Sequence, residues 1–192
     1  MPADPEVAAA LEHVARTLQT LGAEIRDVRL PTLDEFAAVN RVILQSEAWA
    51  IHGQWLRERP GDYGRLARRR LMSGAFLGAG DYVQAGRRRL EMIGAVEAVL
   101  RDVDILLCAS AMEPPCRIDD PEAVEHSYPR QARTPFNVTG HPALAMMSGL
   151  SSGGLPLSVQ FVGRYFAEAR LFQVAREWER TAGMGDKHPP LT

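Results

Sequence analysis

The sequence predicts an α/β fold, a mixed β-sheet with helices packed around it. Long stretches repeat apolar residues at helical spacing, as in Val7, Leu11, Val14, Leu18 and Leu21. Between them lie short apolar runs of strand length, at 104–108 (DILLC) and 143–147 (ALAMM). Helix and strand signals also interleave along the chain instead of forming separate blocks.

The first helix opens on Asp4 as cap with Pro5 at its first position, and Gly22 stops it. A strand follows at about 24–29, anchored by Ile25 and Val28. Thr32 and Glu35 make a T-x-x-E capping box for a second helix through Phe36, Val39 and Ile43 to about Trp55. Gly61-Asp62 restarts a helical segment through Leu66 and Leu71 that breaks near 74–80. A D-x-x-Q box at Asp81 begins a long helix whose stripe is Val83, Leu90, Ile93, Val96 and Leu100. After the 104–108 strand, residues 109–133 read as a long, Pro-bearing loop without a period. Loops of that length in compact domains are usually functional or disordered.

Residues 134–172 form the densest block of signals. Thr134 caps a helical turn with Pro135 at its first position, and Gly140 and Pro142 end it. The 143–148 run, wholly apolar at its start, predicts a strand buried on both faces. Leu155, Leu157, Val159 and Phe161 alternate with Pro156, Ser158, Gln160 and Val162, predicting a two-faced strand over 157–162. Ser151-Ser152-Gly153-Gly154 between them is hairpin-turn chemistry. A last helix carries Leu171, Phe172, Val174, Ala175 and Trp178, and Gly183 with Pro189-Pro190 ends the fold.

At 192 residues the chain suits one core. Its 46% hydrophobic and 24% charged content are those of a soluble globular protein. A net charge of −2 gives no general attraction to nucleic acid or anionic membrane, and no apolar run reaches the roughly 20 residues of a membrane span. The acidic start is unlike a secretion signal, and Cys108 and Cys116 make no disulfide framework, so a cytoplasmic location is expected. The triplets 68–70 and 87–89 are all arginine, but consecutive helical residues point about 100° apart, so they read as solvated or salt-bridged helix faces. The five histidines lack metal-ligand spacing, and no metal is expected. Cys108, in an apolar strand, reads as a small buried hydrophobe more readily than as a nucleophile served by His126 or His141.

Several runs in this order resemble the C-terminal portion of the amidase signature family, the Ser-Ser-Lys amidohydrolases. They are Pro135-Phe136-Asn137-Val138-Thr139-Gly140-His141-Pro142-Ala143, Gly154-Leu155-Pro156 and Gln160-Phe161-Val162-Gly163-Arg164. Leu21-Gly22-Ala23-Glu24-Ile25, Leu30-Pro31 and 81–107 fit the preceding part of the pattern. Cys108-Ala109-Ser110 departs from it, standing where the family has Thr-Pro-Thr.

The resemblance implies that residues 1–192 are the C-terminal part of an amidase domain, with the N-terminal catalytic part absent. Complete relatives hydrolyse a small-molecule carboxamide by acyl-serine chemistry without metal or organic cofactor. Their two serines and lysine precede this region. The only lysine here, Lys187, matches no catalytic position, and Ser151-Ser152 sits in the predicted hairpin turn. No catalytic residue is therefore expected in the chain, and amidase activity of the chain alone is not. Ser110, Ala111 and Met112 are the expected acyl-side pocket residues. Asn137 adjoins the catalytic centre in the family, although a buried asparagine tying backbone is the commoner use of that residue. Four readings stay open: a fragment, half of a split amidase with an upstream partner or homo-oligomer partner, a non-catalytic binding module, and a component of a tRNA-dependent amidotransferase.

Overall fold

A computed structural model describes residues 2–185; the expectations for Lys187, His188 and Pro189-Pro190 lie outside them. Among the described residues are seven α-helices and three strands. α1 (Pro5–Thr20) begins as its sequence predicts: Asp4 accepts from the Glu6 amide at 2.8 Å, with Pro5 in the first turn. α2 (Leu33–Glu58) has the full capping box, Thr32 and Glu35 satisfying each other's backbone amides. α3 (Arg65–Met72) lies between two single 3-10 turns, Pro60–Asp62 and Ser73–Phe76.

α4 (Ala79–Asp102) starts earlier than the sequence signal suggests. Asp81 is in its first turn, reaching back to accept from the Gly78 amide at 2.9 Å. The expected stripe also shifts: Ala85, Met92, Val96 and Leu100 are buried, whereas Val83 and Leu90 are exposed. Val83 and Leu90 each lie two residues before a buried position, roughly 200° around the helix.

β1 (Leu106–Ala109), β2 (Ala143–Leu150) and β3 (Pro156–Val162) form one sheet in the order β1-β3-β2. The fold class is α/β as expected, but every pairing among the described residues is antiparallel, where a mixed sheet was predicted. Leu106 faces Val162, and Ala143 faces the same Val162 from the other side. A bulge between Met147 and Gly149 shifts the β2 register.

Helices cover both sheet faces. Val159 and Phe161 of β3 pack with Val14 and Leu18 of α1 and with Leu171, Ala175 and Trp178 of α7 (Glu168–Ala182). On the other face Leu106 and Val162 pack with Phe36 and Val39 of α2, Met92 and Leu100 of α4, and Phe136 of α6 (Thr134–Thr139). This burial, at about 25 cal/mol per Å² of apolar surface, is what draws two-sided helices onto a small sheet. Trp178 is lodged further by its indole N–H, which donates to the Met147 carbonyl at 2.9 Å.

The predicted strand at 24–29 is not formed. Residues 23–30 are irregular, and Ile25 and Val28 are exposed. Their spacing of three places them on opposite faces of any strand, so they never define one buried face. β2 is an edge strand whose Ala143 and Ala145 are exposed, correcting the expectation of burial on both sides. The 109–133 loop contains a short helix, α5 (Pro121–Ser127), capped by Asp120 accepting from the Glu122 and Ala123 amides. α6 is capped at Arg133, one residue before the expected Thr134, and ends at Gly140 in the left-handed conformation.

Candidate functional site

Two adjoining cavities share Gln131 and Arg133 as a common wall. The larger, of about 780 Å³, opens between α2, α3 and the 125–137 segment. The smaller, of about 230 Å³, lies under the 111–115 loop, against Val7 of α1 and the start of β3.

The four expected pocket residues are not gathered in one cavity. Ala111 lines the smaller one and Asn137 the larger. Ser110 is buried; its amide donates to the Ser158 carbonyl at 3.2 Å, and its hydroxyl has no partner among the described residues. Met112 is held through its backbone: its amide donates to the Arg130 carbonyl at 3.0 Å and its carbonyl accepts from the Asp4 amide at 2.8 Å. Asn137 is exposed on α6, which corrects the expectation of a buried asparagine tying the turn. The buried residues of that helix are Pro135, Phe136, Val138 and Thr139, and position 137 points away from them.

The charged wall of the larger cleft was only half visible in the sequence. Arg69 pairs with Glu125 of α5, and the Arg70 guanidinium lies 3.5 Å from the Tyr128 ring centroid. In the second triplet Arg88 pairs with Glu35 and Glu91, and Arg89 donates to the Val138 carbonyl at 2.6 Å. The Arg69 and Arg88 ion pairs fit the expected salt-bridged faces, whereas Arg70 and Arg89 engage a ring and a backbone carbonyl instead. Arg41 and Arg133, which no sequence pattern marks, also line the cleft. An isolated arginine in a helical pattern carries no signal that separates a cleft wall from a solvated face.

The thiol of Cys108 is half-buried against the core around α2 and α4, and desolvation pushes it up to about 12, partly opposed by a hydrogen bond from Gln160. It is not a thiolate at neutral pH. His141 is buried with Nδ1 2.8 Å from Thr139 Oγ1 and Nε2 2.9 Å from Glu97 Oε1, its ring stacked on Tyr165. His126 faces Glu113 at 3.3 Å. Ser151 to Gly154 form the predicted hairpin turn, with Gly154 at φ 77° and the Ser151 amide donating to the Leu155 carbonyl at 2.7 Å. Among the described residues no three His, Cys, Asp or Glu side chains group to hold a metal, and no helix is long and apolar enough to cross a membrane.

The Amidase family profile matches residues 1–172. The chain belongs to the amidase family. A glutamyl-tRNA(Gln) amidotransferase subunit of Synechococcus sp. (strain CC9605) is 29% identical over 97% of this chain and 43% of its own length. AmiD of Mycobacterium tuberculosis (strain ATCC 25618 / H37Rv) is 31% identical over 98% of this chain and 41% of its own length. A crystal structure of an amidase superposes with a TM-score of 0.81 at 27% identity, covering 92% of this chain and 42% of that one. The chain thus spans about two-fifths of the length of these relatives.

The amidase-like runs have structural duties in this fold. Gln160 is buried in β3, and its Nε2 donates to the carbonyls of Ala109 (2.9 Å) and Ala132 (3.0 Å), tying both ends of the 109–132 loop to the sheet. Arg164 donates to the Leu100 carbonyl at 2.6 Å and to those of Arg101 and Val103, satisfying the C-terminal end of α4.

Proposed function

We propose that this chain is the C-terminal part of a carboxamide hydrolase and turns over no amide by itself. The observation that carries the reading is the family match over residues 1–172 in a chain only about two-fifths as long as its relatives. In the mechanism the family resemblance implies, an activated serine attacks the amide carbon and a backbone oxyanion hole stabilises the tetrahedral intermediate. That serine needs a base within hydrogen-bond reach. The chain's single lysine, Lys187, matches no such position. The chain's contribution is a helical wall and the antiparallel sheet, with Ala111 and Asn137 on the walls of two adjoining cavities.

Open surfaces support a partner polypeptide carrying the serines and lysine. The outer edge of β2 has no strand neighbour among the described residues, and Leu21, Ile25 and Val28 are exposed along an irregular segment. Such a partner makes this the half of a split amidase, working in the cytoplasm. The test is ammonia release from simple amides by the purified 192-residue chain. No release is expected; turnover abolished by a serine-directed reagent would overturn the reading. Co-purification with a chain carrying the Gly/Ser loop, and activity restored by mixing, are the expected signs of the split enzyme.

A further inference from the structure

We infer that the outer face of α2, running from the 780 Å³ cleft to Trp55, docks an amphipathic helix of a partner polypeptide with acidic residues beside its apolar stripe. Such docking is independent of the reading of the chain as part of a carboxamide hydrolase.

α2 is apolar on two opposite sides. Phe36, Val39, Gly53 and Leu56 are its buried residues. Ala37, Leu44, Ala48, Ile51 and Trp55 lie within about 60° of one another on the far side of the helix. Of these, Leu44, Ile51 and Trp55 are exposed. A helix at a protein surface ordinarily has one apolar stripe, turned to its own core, and a polar opposite face. With Arg41 added, the outer stripe steps by four, three, four, three and four residues from Ala37 to Trp55. That is the heptad seam of a helix facing another helix. It runs roughly 27 Å along the axis, or about five turns.

The surroundings of the seam define the chemistry of its partner. Ala37, Arg41, Leu44 and Ala48 line the cleft together with α3 and the 125–137 segment, and Ile51 and Trp55 continue the stripe beyond it. Four arginines, Arg41, Arg69, Arg70 and Arg133, line the cleft beside a single carboxylate, Glu125, which Arg69 already pairs. Among the described residues neither Arg41 nor Arg133 has a carboxylate within 4.0 Å. An apolar seam in a cationic setting is complementary to a helix with apolar anchors at i, i+3 or i+4 and i+7, and with Asp or Glu beside them. A second copy of this chain would set the same cationic lining against itself across a two-fold interface, and like charges oppose that. A flat bilayer cannot follow the seam between the cleft's two walls.

Fluorescence anisotropy of labelled helical peptides of about 18 residues, the length of the seam, tests this on the 192-residue chain. One peptide carries leucine at heptad positions with glutamate beside them; a second has lysine in place of every glutamate. The glutamate peptide is expected to bind saturably, and the lysine peptide roughly tenfold or more weakly. Ile51→Ser and Trp55→Ser should each weaken the glutamate peptide by about tenfold. Arg41→Gln should weaken it by roughly two- to fivefold and reduce its sensitivity to salt. Circular dichroism confirms that each variant folds. Phe172→Ser, at an exposed apolar residue of α7 across the sheet, should bind as the unmodified chain does. No saturable binding, equal affinity for the two peptides, or unaltered binding in both Ile51→Ser and Trp55→Ser would each overturn the inference. So would a dimer of the chain alone, seen by sedimentation, that Ile51→Ser dissociates, since a second copy would then hold the face. Co-sedimentation with phosphatidylserine–phosphatidylcholine vesicles that Ile51→Ser abolishes would overturn it in favour of a membrane.

Discussion

Glu97 Oε1 lies 2.9 Å from Nε2 of the fully enclosed His141 ring, and this contact fastens α4 to the turn between α6 and β2. Thr139 Oγ1 holds the other ring nitrogen at 2.8 Å, and Tyr165 stacks on the ring at a centroid distance of 4.3 Å. Every polar atom of the imidazole is therefore used. His141→Ala removes two hydrogen bonds, leaves Thr139 buried without its partner and opens a void. It should cost about 2 kcal/mol or more. Glu97→Gln keeps a group able to bond the ring and should cost about half as much. Urea unfolding with unchanged m-value reads both. A loss below about 0.5 kcal/mol for His141→Ala would show the cluster to be ornamental.

Gln160 governs order in the 109–132 loop rather than the sheet. Gln160→Leu is close in volume and keeps β3 apolar, but strips the Ala109 and Ala132 carbonyls of a shared donor. Leaving buried acceptors unpaired costs about 1–3 kcal/mol. Amide hydrogen exchange should quicken in α5 and at Met112, whose amide bonds to Arg130 within the same loop. Exchange in β2 should change least. Uniform acceleration across the sheet would place Gln160 in the core's own stability instead.

Cys108 gives a pH dependence with a definite sign. Burial holds its thiol at about 12 in the folded chain, above the unfolded value of about 8.5. The folded state therefore binds the thiol proton more tightly. That contribution to stability is complete below about pH 8.5 and is lost as pH rises toward 12. Cys108→Ala should flatten the alkaline fall in stability. In the native chain at pH 8, iodoacetamide should modify the exposed Cys116 and spare Cys108 until the chain is unfolded. Native labelling of both at similar rates would contradict the enclosed thiol.

These tests fall on residues whose roles differ in how far the sequence discloses them. Caps and alternation are local, and so Asp4-Pro5, the Thr32–Glu35 box and the two faces of β3 could be read directly. The same holds for the turn at 151–154, where Gly154 needs a positive φ. Long-range pairing is not local. Nothing in Ile25 or Val28 says whether a neighbouring strand is at hand, and Ala143 and Ala145 look the same at a sheet edge as in its centre. The α4 stripe holds at Val96 and Leu100 and misses at Val83 and Leu90, since several apolar residues on one helix allow two registers and packing against α2 selects one. The site was the least legible part. Asn137 could be placed in a pocket through the family resemblance, but Arg41 and Arg133 line one cleft only because α2 and α6 are packed together.

The wall of the larger cleft depends on how closely the chain after α3 approaches α2, and Gly74 sets that distance. A methyl group at Gly74 would sit 2.2 Å from the Gln45 carbonyl oxygen and 2.6 Å from Trp49 Cβ. Both are parts of α2 that cannot swing aside, because one is backbone and the other is bonded directly to it. Gly74→Ala must therefore push the Ser73–Phe76 turn away from α2, an overpacking cost of about 1–3 kcal/mol. The displacement carries α3, and with it Arg69, Arg70 and Leu71 of the cleft lining. Gly61→Ala is the control, since a methyl group there meets nothing within 4 Å. Thermal unfolding should separate the two variants by several degrees, with Gly61→Ala close to the unmodified chain. Tryptophan fluorescence should change in Gly74→Ala alone, because Trp49 lies at the point of collision. An unchanged melting temperature in Gly74→Ala would mean that the turn is free to move, and that the cleft's second wall is not rigidly placed.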